Sequence, residues 1–513
     1  ATLQHVSLNS DSNREVPIWF IALRRVASYS CRHCLHRPAR RLRPKGSALH
    51  AGYQAAIRRK QESRANHSGP NTCTCRFVIR DQVKPIMSHF SYQDGVLCAE
   101  NTPLAQIAQQ FGSPTYIYSK AALVENFSAY ADACKQHGRN DETSLVCYSV
   151  KSNSNLAVLN LLGKLGSGFD IVSGGELLRV LAAGGSPRKV IFSGVGKSRE
   201  EMQLALSHGI LCFNVESIPE LHRLNAVAAE MGKKAAVSLR VNPNVDAKTH
   251  PYISTGLKDN KFGIAYEDTL TTYRVAAALP NINVVGIDCH IGSQLLDDAP
   301  LLEAVDKLIE LIDTLDAEGI HLHHLDIGGG IGINYDNDQP VAVGDYLARL
   351  FAKIDAWRQQ KHGGAPIKVL FEPGRSIVGN AGILLTEVQY IKHGETKNFA
   401  IVDAAMNDLM RPAMYEAWHG VLPVKQSAAA AATYDVVGPV CESGDWLARS
   451  RELAIEEGDL LAIMSAGAYG MTMSSNYNTR GRAAEVMVDG DKVHLIRKRE
   501  AASDLFALES LLP

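Results

Sequence analysis

A lysine ends an apolar run that has the composition of a buried strand. The run occupies residues 145–150, and Lys151 follows it directly. Lysine side chains are almost never fully buried unless they are paired. Burial lowers the pKa of the amine, and a neutral amine is a nucleophile that can form an imine with a carbonyl group. The alternative is an ordinary strand-edge lysine, with its apolar stem buried and its ammonium group in water.

Seven further apolar runs predict strands that end in polar residues or glycines. These strands are predicted at residues 168–172, 190–193, 211–215, 235–241, 284–290, 324–327 and 368–372. At or near their C-terminal ends stand Asp170, Ser193, Asn214, Arg240, His290, the glycines 328–330 and Glu372. A single one of these could be a strand-end residue with satisfied hydrogen bonds. All of them together, with Lys151, indicate a functional site.

Helical patterns separate the strands, and this alternation predicts a parallel (β/α)8 barrel. The helices are predicted at residues 155–165, 176–183, 200–208, 218–231, 301–318 and 346–360. The strands are apolar throughout, as expected for a sheet that is covered on both faces. Active sites of such barrels lie at the C-terminal ends of the strands, so the polar groups should meet at one rim.

A second, β-rich domain is predicted after residue 373, where few helical patterns occur. Its strands are predicted at residues 377–392, 399–402, 434–437, 459–464 and 484–488. The alanine-rich stretch 426–433 is predicted to be a surface loop or a short helix.

The rim residues have the chemistry that pyridoxal phosphate needs. The glycines after Asp326 let backbone N–H groups approach a phosphate. Isoleucines at positions 333 and 191 exclude a dinucleotide fingerprint and a P-loop, because both motifs need glycine there. His290 supplies a flat ring, and Glu372 supplies a carboxylate for a protonated ring nitrogen. With an imine-forming Lys151, these are the parts of a pyridoxal-phosphate site.

Charge divides the chain into two unlike parts. Residues 1–86 carry 16 Lys and Arg but 4 Asp and Glu, whereas the remainder carries 37 and 50. The acidic body argues against nucleic acid as a partner. No apolar run reaches the length of about 18 residues that a membrane span requires. The scattered cysteines of the body fit a reducing cytoplasm.

The first 86 residues lack steady periodicity and are predicted to be a disordered or non-native extension. Being rich in arginine and poor in acids, they also fit an organellar import segment loosely. Cys31, Cys34, Cys73 and Cys75 lie there, but we expect no metal site, because structural zinc needs four ligands on a folded frame. We expect that deletion of residues 1–86 leaves activity intact.

From Met87 to Pro513, about five-sixths of the chain, the sequence resembles the diaminopimelate decarboxylases. These are barrel-type, fold type III pyridoxal-phosphate enzymes related to ornithine and arginine decarboxylases. The resemblance implies decarboxylation of meso-diaminopimelate to L-lysine, the last step of lysine biosynthesis. The matching motifs are Tyr148-Ser149-Val150-Lys151-Ser152-Asn153, Phe169-Asp170-Ile171-Val172-Ser173, Cys289-His290-Ile291-Gly292-Ser293, Glu372-Pro373-Gly374-Arg375, Cys441-Glu442-Ser443-Gly444-Asp445 and Ala466-Gly467-Ala468-Tyr469-Gly470.

The resemblance also implies a role for each site residue. Lys151 would hold the cofactor and pass it to the substrate amine, and Glu372 would pair with the ring nitrogen. His290 would stack on the ring, and Cys441 would deliver the final proton to Cα. The phosphate would be held by Ser293, Gly329, Gly330, Gly374, Arg375 and Tyr469. Asp170, Glu176 and Arg240 would orient these groups.

Substrate choice is expected in the C-terminal domain. The distal end of diaminopimelate carries a carboxylate, which Arg375 and Arg411 can hold in bidentate fashion. Tyr415 and Tyr469 would add hydroxyl groups, and Glu442 would hold the ammonium. Ornithine decarboxylases carry aspartate where this chain has Glu442, and their substrate lacks the distal carboxylate.

In the resembling family the cysteine segment reaches the active site of the other subunit, which implies a homodimer with two shared sites. The simpler interpretation of Cys441 is a small buried apolar residue. Three other functions stay open: an ornithine- or arginine-type decarboxylase, a catalytically inactive regulatory relative, and an amino-acid racemase. The inactive relatives lose the lysine or the cysteine, and a racemase needs a second base and no cysteine motif.

The resulting domain organisation has four parts. Residues 1–86 form the basic extension, and residues 87–120 form a segment that packs on the β-rich domain. The cofactor-binding barrel is expected at residues 121–372, and the C-terminal β-rich domain at residues 373–513.

Overall fold

A computed structural model describes residues 87–246, 260–361 and 363–513 of the chain. The predictions made for residues 1–86, including their disorder and their possible zinc ligands, lie outside the described residues. Within the described part, no helix has the length and apolar composition that a bilayer crossing requires.

The described chain begins with a small antiparallel sheet and the strand that follows it. Strands β1 (Phe90–Gln93), β2 (Val96–Ala99) and β3 (Thr102–Pro103) form the sheet in that order. Helix α1 (Leu104–Phe111), strand β4 (Thr115–Ser119) and helix α2 (Lys120–Gln136) come next. All five residues of β4 are buried.

Eight parallel strands close into a barrel, which confirms the predicted (β/α)8 fold. The order around the barrel is β5, β6, β7, β8, β9, β11, β12 and β13, and β13 pairs with β5 to close it. Each predicted strand agrees with the observed one to within two residues. The strands are β5 (Ser144–Ser149), β6 (Gly168–Ile171), β7 (Val190–Phe192), β8 (Cys212–Val215), β9 (Ala235–Asn242), β11 (Ile282–Cys289), β12 (His324–Asp326) and β13 (Lys368–Phe371), with the short β10 (Ile264–Ala265) beside β9.

Helices connect the barrel strands and begin at the functional rim. The side chains of Asn155, Ser173, Ser198 and Ser217 each cap a helix N-terminus. Such caps satisfy backbone N–H groups that the helix itself leaves unpaired. The helices are α3 (Leu156–Lys164), α4 (Gly174–Ala182), α5 (Arg199–His208), α6 (Ile218–Glu230), α7 (Thr269–Ala278), α8 (Ala299–Ala317) and α9 (Val343–Lys361).

The barrel interior is apolar at one end and polar at the other. A buried cluster fills the end near the strand N-termini and consists of Leu145, Cys147, Ile191, Cys212 and Leu370. Further along the same strands the side chains are Ser149, Asp170, Ser193, Asn214, Arg240, Asp288, Asp326 and Glu372, all buried. The apolar cluster therefore closes one end of the barrel interior, and the polar side chains line the other end.

The C-terminal part is the predicted β-rich domain, with one correction. Residues 377 and 378, predicted as the start of a strand, belong to helix α10 (Arg375–Val378), and the strand begins at Gly382. The remaining elements are β14 (Gly382–His393), β15 (Asn398–Val402), α11 (Arg411–Tyr415), β16 (Val421–Pro423), β17 (Ala432–Val437), β18 (Trp446–Leu453), β19 (Leu460–Ile463), β20 (Ala484–Asp489) and β21 (Lys492–Arg497).

Strand β4 belongs to the sheet of this C-terminal part. It lies between β14, with which it pairs antiparallel, and β20, with which it pairs parallel. The alanine-rich stretch is an exposed loop over residues 426–431, as predicted, and it contains no helix. Strands β16, β18 and β21 were not predicted.

Candidate functional site

Lys151 lies in a short 3-10 turn directly after β5 and contacts a carboxylate of the next strand. Its Nζ donates a hydrogen bond to Asp170 Oδ2 at 2.6 Å, and the Ser149 hydroxyl donates to the same oxygen at 2.7 Å. Asp170 is fully buried, whereas about a third of the Lys151 side chain is exposed (35%). The amine is therefore accessible at the rim, and its position is fixed from the barrel side.

The expectation that burial lowers the pKa of Lys151 is wrong as a net effect. Burial alone does lower this pKa, but the negative charges of Asp170 and Glu372 outweigh burial and raise it above the usual value. An ammonium group favoured by adjacent carboxylates is the general result of such contacts. The neutral amine therefore forms only when a proton leaves this cluster of charges.

Glu372 lies at the centre of the rim and is 5% exposed. Ser193 Oγ and Asn214 Nδ2 both donate to Glu372 Oε1 at 3.4 Å. The backbone N–H of Glu372 donates to Gly328 O at 2.8 Å. Burial and the charge of Asp170 raise the pKa of Glu372 well above its usual range. Its carboxyl group thus prefers a proton or a cationic partner.

Two carboxylates that sequence reasoning did not identify as site residues lie beside Glu372. One oxygen atom each of Asp288, Asp326 and Glu372 lies within 4.8 Å of the others. Both oxygen atoms of Asp288, and Oδ2 of Asp326, have no hydrogen-bond partner among the described residues. Strand periodicity could have found Asp288, since residues two apart on a strand face the same side and His290 follows it by two.

Asp288 predicts an unusual pH dependence of stability. Burial and the charge of Asp326 raise its pKa well above the usual value. Above about pH 4 the unfolded chain releases this proton while the folded chain keeps it. The unfolded state then binds fewer protons, so stability falls as pH rises towards the folded-state pKa. We expect Asp288→Asn to stabilise the protein at pH 8, because the amide has no charged form that burial penalises.

Thermal unfolding between pH 5 and 8 tests this, with Asp435→Asn as the control. Burial alone would raise the pKa of Asp435, but Lys397 at 2.9 Å and the Ser450 N–H at 2.8 Å lower it. A lowered pKa gives the opposite sign, so the Asp435→Asn protein should lose stability above about pH 4. An Asp288→Asn protein whose midpoint depends on pH as the unmodified protein's does would contradict the assignment.

Arg240 is paired with a carboxylate that the sequence analysis also missed. Its Nη1 lies 3.1 Å from Glu216 Oε1, and both groups are buried. The N–H groups of Gly194 and Gly263 donate to the two oxygen atoms of Glu216 at 2.7 and 3.1 Å. Arg240 is thereby held rigidly beneath the rim. Glu216 follows β8 directly, so its strand-end position was the available signal.

His290 accepts a hydrogen bond from the glycine run. The N–H of Gly329 donates to His290 Nδ1 at 3.2 Å, so the proton of the neutral ring lies on Nε2. Burial, with Arg240 and Lys151 nearby, lowers the pKa of His290 well below its usual value. Gly329 must be a glycine, because a Cβ there would lie 2.1 Å from Glu372 O. The glycine run and the Glu372 turn therefore approach each other closely.

Glu176 forms hydrogen bonds at the start of helix α4. Its carboxylate accepts the N–H of Val172 at 2.7 Å, and its own N–H donates to Ser173 Oγ at 3.2 Å. Burial raises its pKa, and the charge of Lys151 acts in the opposite direction. The residue thus holds the rim backbone next to Lys151.

The C-terminal part contributes directly to the rim through residues 466–470. The N–H of Tyr469 donates to Ser152 O at 2.8 Å, and Asn153 Nδ2 donates to Gly467 O at 3.2 Å. Gly374 packs against the same turn, since a Cβ on it would lie 3.0 Å from Ser152 Oγ. The backbone around Lys151 is therefore bound to both parts of the chain.

Arg375 and Arg411 lie together beside the rim. Arg375 Nη2 donates to Ser293 Oγ at 3.1 Å, and it is 4% exposed. Arg411 is 7% exposed and lies over the Tyr415 ring at 5.8 Å. These two guanidinium groups and Tyr415 line a cavity of about 200 Å³. Gly330 lies nearby in the glycine run, where its carbonyl accepts the N–H of Leu295 at 2.9 Å.

Cys441 and Glu442 lie in an exposed loop and contact the segment that follows residue 475. The N–H of Cys441 donates to Asn478 Oδ1 at 3.2 Å, and Tyr477 OH donates to Glu442 Oε1 at 2.5 Å. The interpretation of Cys441 as a buried apolar residue is wrong, because it is exposed. Asp445 fixes the base of this loop by accepting the Val440 N–H at 2.7 Å.

Lys197 is a second lysine after a barrel strand, but unlike Lys151 it is fully hydrogen-bonded within the protein. It is 3% exposed, and its Nζ donates to Gly194 O, Asn214 O and Glu220 Oε1 at 2.7 to 2.8 Å. All three protons of its ammonium group are satisfied, and none is available to a ligand.

The arrangement fits a planar, anionic and electrophilic cofactor. Lys151 supplies an accessible amine, Glu372 a buried acceptor for a ring cation, and His290 a neutral ring of fixed tautomer. The close approach of Gly329 to Glu372 leaves the glycine run without side chains at this point. Its backbone N–H groups and the nearby Arg375 supply positive potential for an anion.

Comparisons with known proteins agree with this description. A family model described as the pyridoxal binding domain of pyridoxal-dependent decarboxylases matches residues 121–379. The chain is 57% identical to the diaminopimelate decarboxylase of Vibrio cholerae over 428 residues, which is 83% of this chain and 100% of that protein. It is 58% identical to the Pseudomonas aeruginosa enzyme over 427 residues, with the same two shares.

Two solved structures have the same fold over most of the chain. Diaminopimelate decarboxylase from Helicobacter pylori, complexed with L-lysine, is 43% identical with a TM-score of 0.73, and the match covers 79% of this chain and 99% of that one. The enzyme from M. jannaschii in complex with L-lysine is 38% identical with a TM-score of 0.79, over 83% of this chain and 99% of that one.

Proposed function

The chain belongs to the diaminopimelate decarboxylases, within the pyridoxal-dependent decarboxylases, and from this membership we propose how its rim acts. The reaction is decarboxylation of meso-diaminopimelate to L-lysine and carbon dioxide, the last step of lysine biosynthesis. The single observation that carries the assignment to this rim is the contact of Lys151 with Asp170 above the buried Glu372.

Pyridoxal phosphate, when bound, supplies a ring that accepts the electron pair left by the broken bond to the carboxyl group. Lys151 would hold this cofactor through its amine, and Asp170 would keep the amine in place. Glu372 would hold a proton at the ring nitrogen, because its buried carboxylate needs a cationic partner. His290 would lie against the ring face.

The phosphate would be held at the other side of the rim. Backbone N–H groups are the natural partners of a phosphate at such a turn. The residues proposed for it are Ser293, Gly329, Gly330, Gly374, Arg375 and Tyr469. Arg240 and Glu176 would act through the groups that they contact, Glu216 and the Val172 backbone.

The substrate would bind with its distal carboxylate at Arg375 and Arg411. Guanidinium groups bind carboxylates strongly, because they can donate two parallel charge-assisted hydrogen bonds to the two carboxylate oxygen atoms. Tyr415 lies beside Arg411 and Tyr469 beside Arg375, so both can add hydroxyl contacts. Ornithine has no distal carboxylate, so the arginine pair favours diaminopimelate.

The site would be completed by a second subunit of a homodimer. Cys441 and Glu442 project from an exposed loop, and Glu442 contacts Tyr477 in the same subunit. In the proposed dimer this loop enters the partner's rim, where Cys441 delivers a proton to Cα and Glu442 holds the distal ammonium. Two-fold symmetry then produces two equivalent sites.

We further propose that the enzyme acts in the cytoplasm. The six cysteines of the described residues are all free, and five of them are buried. Free thiols are typical of a reducing compartment.

Steady-state assays on diaminopimelate and on ornithine test the proposed function. We expect kcat/KM for diaminopimelate to exceed that for ornithine by at least about a hundredfold, since a lost charged hydrogen-bond pair costs about 1.5 to 3 kcal/mol for each contact. Mass spectrometry should identify L-lysine as the product. Faster turnover of ornithine would contradict the proposal.

A further inference from the structure

We infer that Tyr335 is a positioning residue for recognition of the substrate's distal carboxylate, because its hydroxyl accepts a hydrogen bond from Arg375 and its ring also lies beside Arg411. This inference rests on the proposed function and concerns a residue that the sequence analysis did not identify.

Three tyrosines and two arginines alternate in a row at the edge of the cavity. The Arg375 guanidinium carbon lies 5.0 Å from the ring centre of Tyr469 and 5.8 Å from that of Tyr335. The Arg411 guanidinium carbon lies 5.4 Å from the ring centre of Tyr335 and 5.8 Å from that of Tyr415. Tyr335 is the central member and touches both cations.

The two cations in this row have no anionic side chain as a partner. Within the described ranges, no carboxylate oxygen lies within 4.0 Å of either guanidinium group, which is the distance limit for an ion pair. Arg411 Nε is buried and lacks a hydrogen-bond partner there. Buried arginines are normally paired. Two guanidinium groups without an ion-pair partner therefore indicate a site for an anionic group of the ligand in this 200 Å³ cavity, which Asp338 also lines.

Tyr335 contacts the arginines through both its hydroxyl group and its aromatic ring. Arg375 Nη1 donates a hydrogen bond to Tyr335 OH at 2.5 Å. The faces of the ring attract the cations through the aromatic quadrupole. Burial alone would raise the pKa of Tyr335, but the charges of Arg375 and Arg411 lower it. The phenol oxygen thus compensates part of the positive charge that no carboxylate balances.

The Tyr335 ring is itself held in place by His419. It is 7% exposed, and its edge packs on the His419 ring with centres 5.4 Å apart at 80°. Burial lowers the pKa of His419 to about 3, so this histidine adds no third positive charge. The backbone N–H of Tyr335 donates to Asp338 Oδ2 at 3.1 Å, which fixes the start of the turn.

Removal of Tyr335 should therefore weaken binding of the distal carboxylate and leave the reaction centre intact. Without the ring, both guanidinium groups lose an aromatic neighbour, while the charge of Arg375 still acts on Arg411. Without the hydroxyl alone, Arg375 loses one of its two hydrogen-bond partners, Ser293 being the other. The loss should appear in affinity, because among the described residues Tyr335 itself forms no hydrogen bond or ring contact with Lys151, Asp170 or Glu372.

The test uses Tyr335→Phe and Tyr335→Leu in the holoenzyme, with two competitive inhibitors. L-lysine keeps the distal carboxylate of the substrate, whereas 1,5-diaminopentane has no carboxylate. We expect KM for diaminopimelate and Ki for L-lysine to rise about tenfold in Tyr335→Phe and about a hundredfold in Tyr335→Leu, the range for losing hydrogen bonds to charged groups. Ki for 1,5-diaminopentane should change less than about twofold, because this inhibitor has no carboxylate for the two arginines to hold.

Tyr92→Phe is the matched control, since its hydroxyl donates to Pro423 O at 2.6 Å and neither residue lines the cavity. It should leave both Ki values unchanged. Wild-type Ki for L-lysine in Tyr335→Phe, or an equal loss of both inhibitors in either variant, would overturn the inference. Should the leucine variant fail to fold, the phenylalanine variant decides alone. Failure of the proposed function is a separate result, because it appears as the unmodified enzyme's preference for ornithine.

Discussion

Replacement of Lys151 by alanine is expected to lower kcat by at least about a thousandfold, within the range observed for removal of one essential catalytic group. The same change should abolish the visible absorption of the bound cofactor, because it removes the amine through which the cofactor would be held. Stability should fall, because the substitution removes the ammonium group that pairs with the buried Asp170 and leaves that carboxylate with its hydrogen bond from Ser149 alone. Turnover assays, absorption spectra and thermal unfolding measure the three effects.

Lys197→Met is the matched control, because Lys197 is also a buried lysine near a strand end. It forms an ion pair with Glu220 at 2.7 Å, and its side chain is fully buried. Removing one partner of a buried pair leaves an uncompensated charge and costs about 3 to 5 kcal/mol. The control should therefore lose stability and keep the cofactor absorption. A Lys151→Ala enzyme that retains the absorption band would contradict the assignment of the cofactor to Lys151.

Mixing two inactive variants is expected to restore activity if each site combines Lys151 of one subunit with Cys441 of the other. The activity of Cys441→Ala homodimers should be about 10²- to 10⁴-fold lower than that of the unmodified enzyme, which is the range for loss of a general acid. When equal amounts of Lys151→Ala and Cys441→Ala subunits recombine, half of the dimers contain both variants. Each such dimer carries one intact site and one doubly altered site, so activity should recover to about a quarter of the unmodified level.

The control for this mixing combines Lys151→Ala with Glu372→Gln. Both of these residues lie on the same barrel rim, so no mixed dimer contains an intact site, and activity should stay at background. Absence of recovery in the first mixture, when size measurements show that subunits have exchanged, would contradict the shared site. Recovery in both mixtures would contradict the placement of Lys151 and Glu372 in one subunit's site.

The barrel was predictable because its strands are uniformly apolar and each ends in a polar residue. The ends of each predicted barrel strand differ from the observed ends by no more than two residues. Helix α7 was missed, since its sequence contains three threonines within five residues, and β-branched residues have low helix propensity. Strand β18 was missed because its burial does not alternate: the adjacent Leu447 and Ala448 are both buried, and the four residues after them are exposed or half-buried.

The site residues divide in the same way. Lys151, Asp170 and Glu372 could be predicted from their positions at strand ends. Tyr335 could not, because it follows the glycine run in irregular structure and its role depends on arginines 40 and 76 residues further along the chain. The net rise in the pKa of Lys151 was also unpredictable, since it depends on how closely two carboxylates approach the amine.

The position of strand β4 has a consequence for the order in which the protein is made. β4 emerges early in synthesis, but its partners β14 and β20 begin 267 and 369 residues after its first residue. Domains generally fold as units while the chain grows, so the barrel can close while β4 still lacks both neighbours. An apolar strand with unpaired edges is a template for aggregation. The nascent chain therefore exposes one edge of β4 until residues 382–393 have been made, and the other until residues 484–489 have been made.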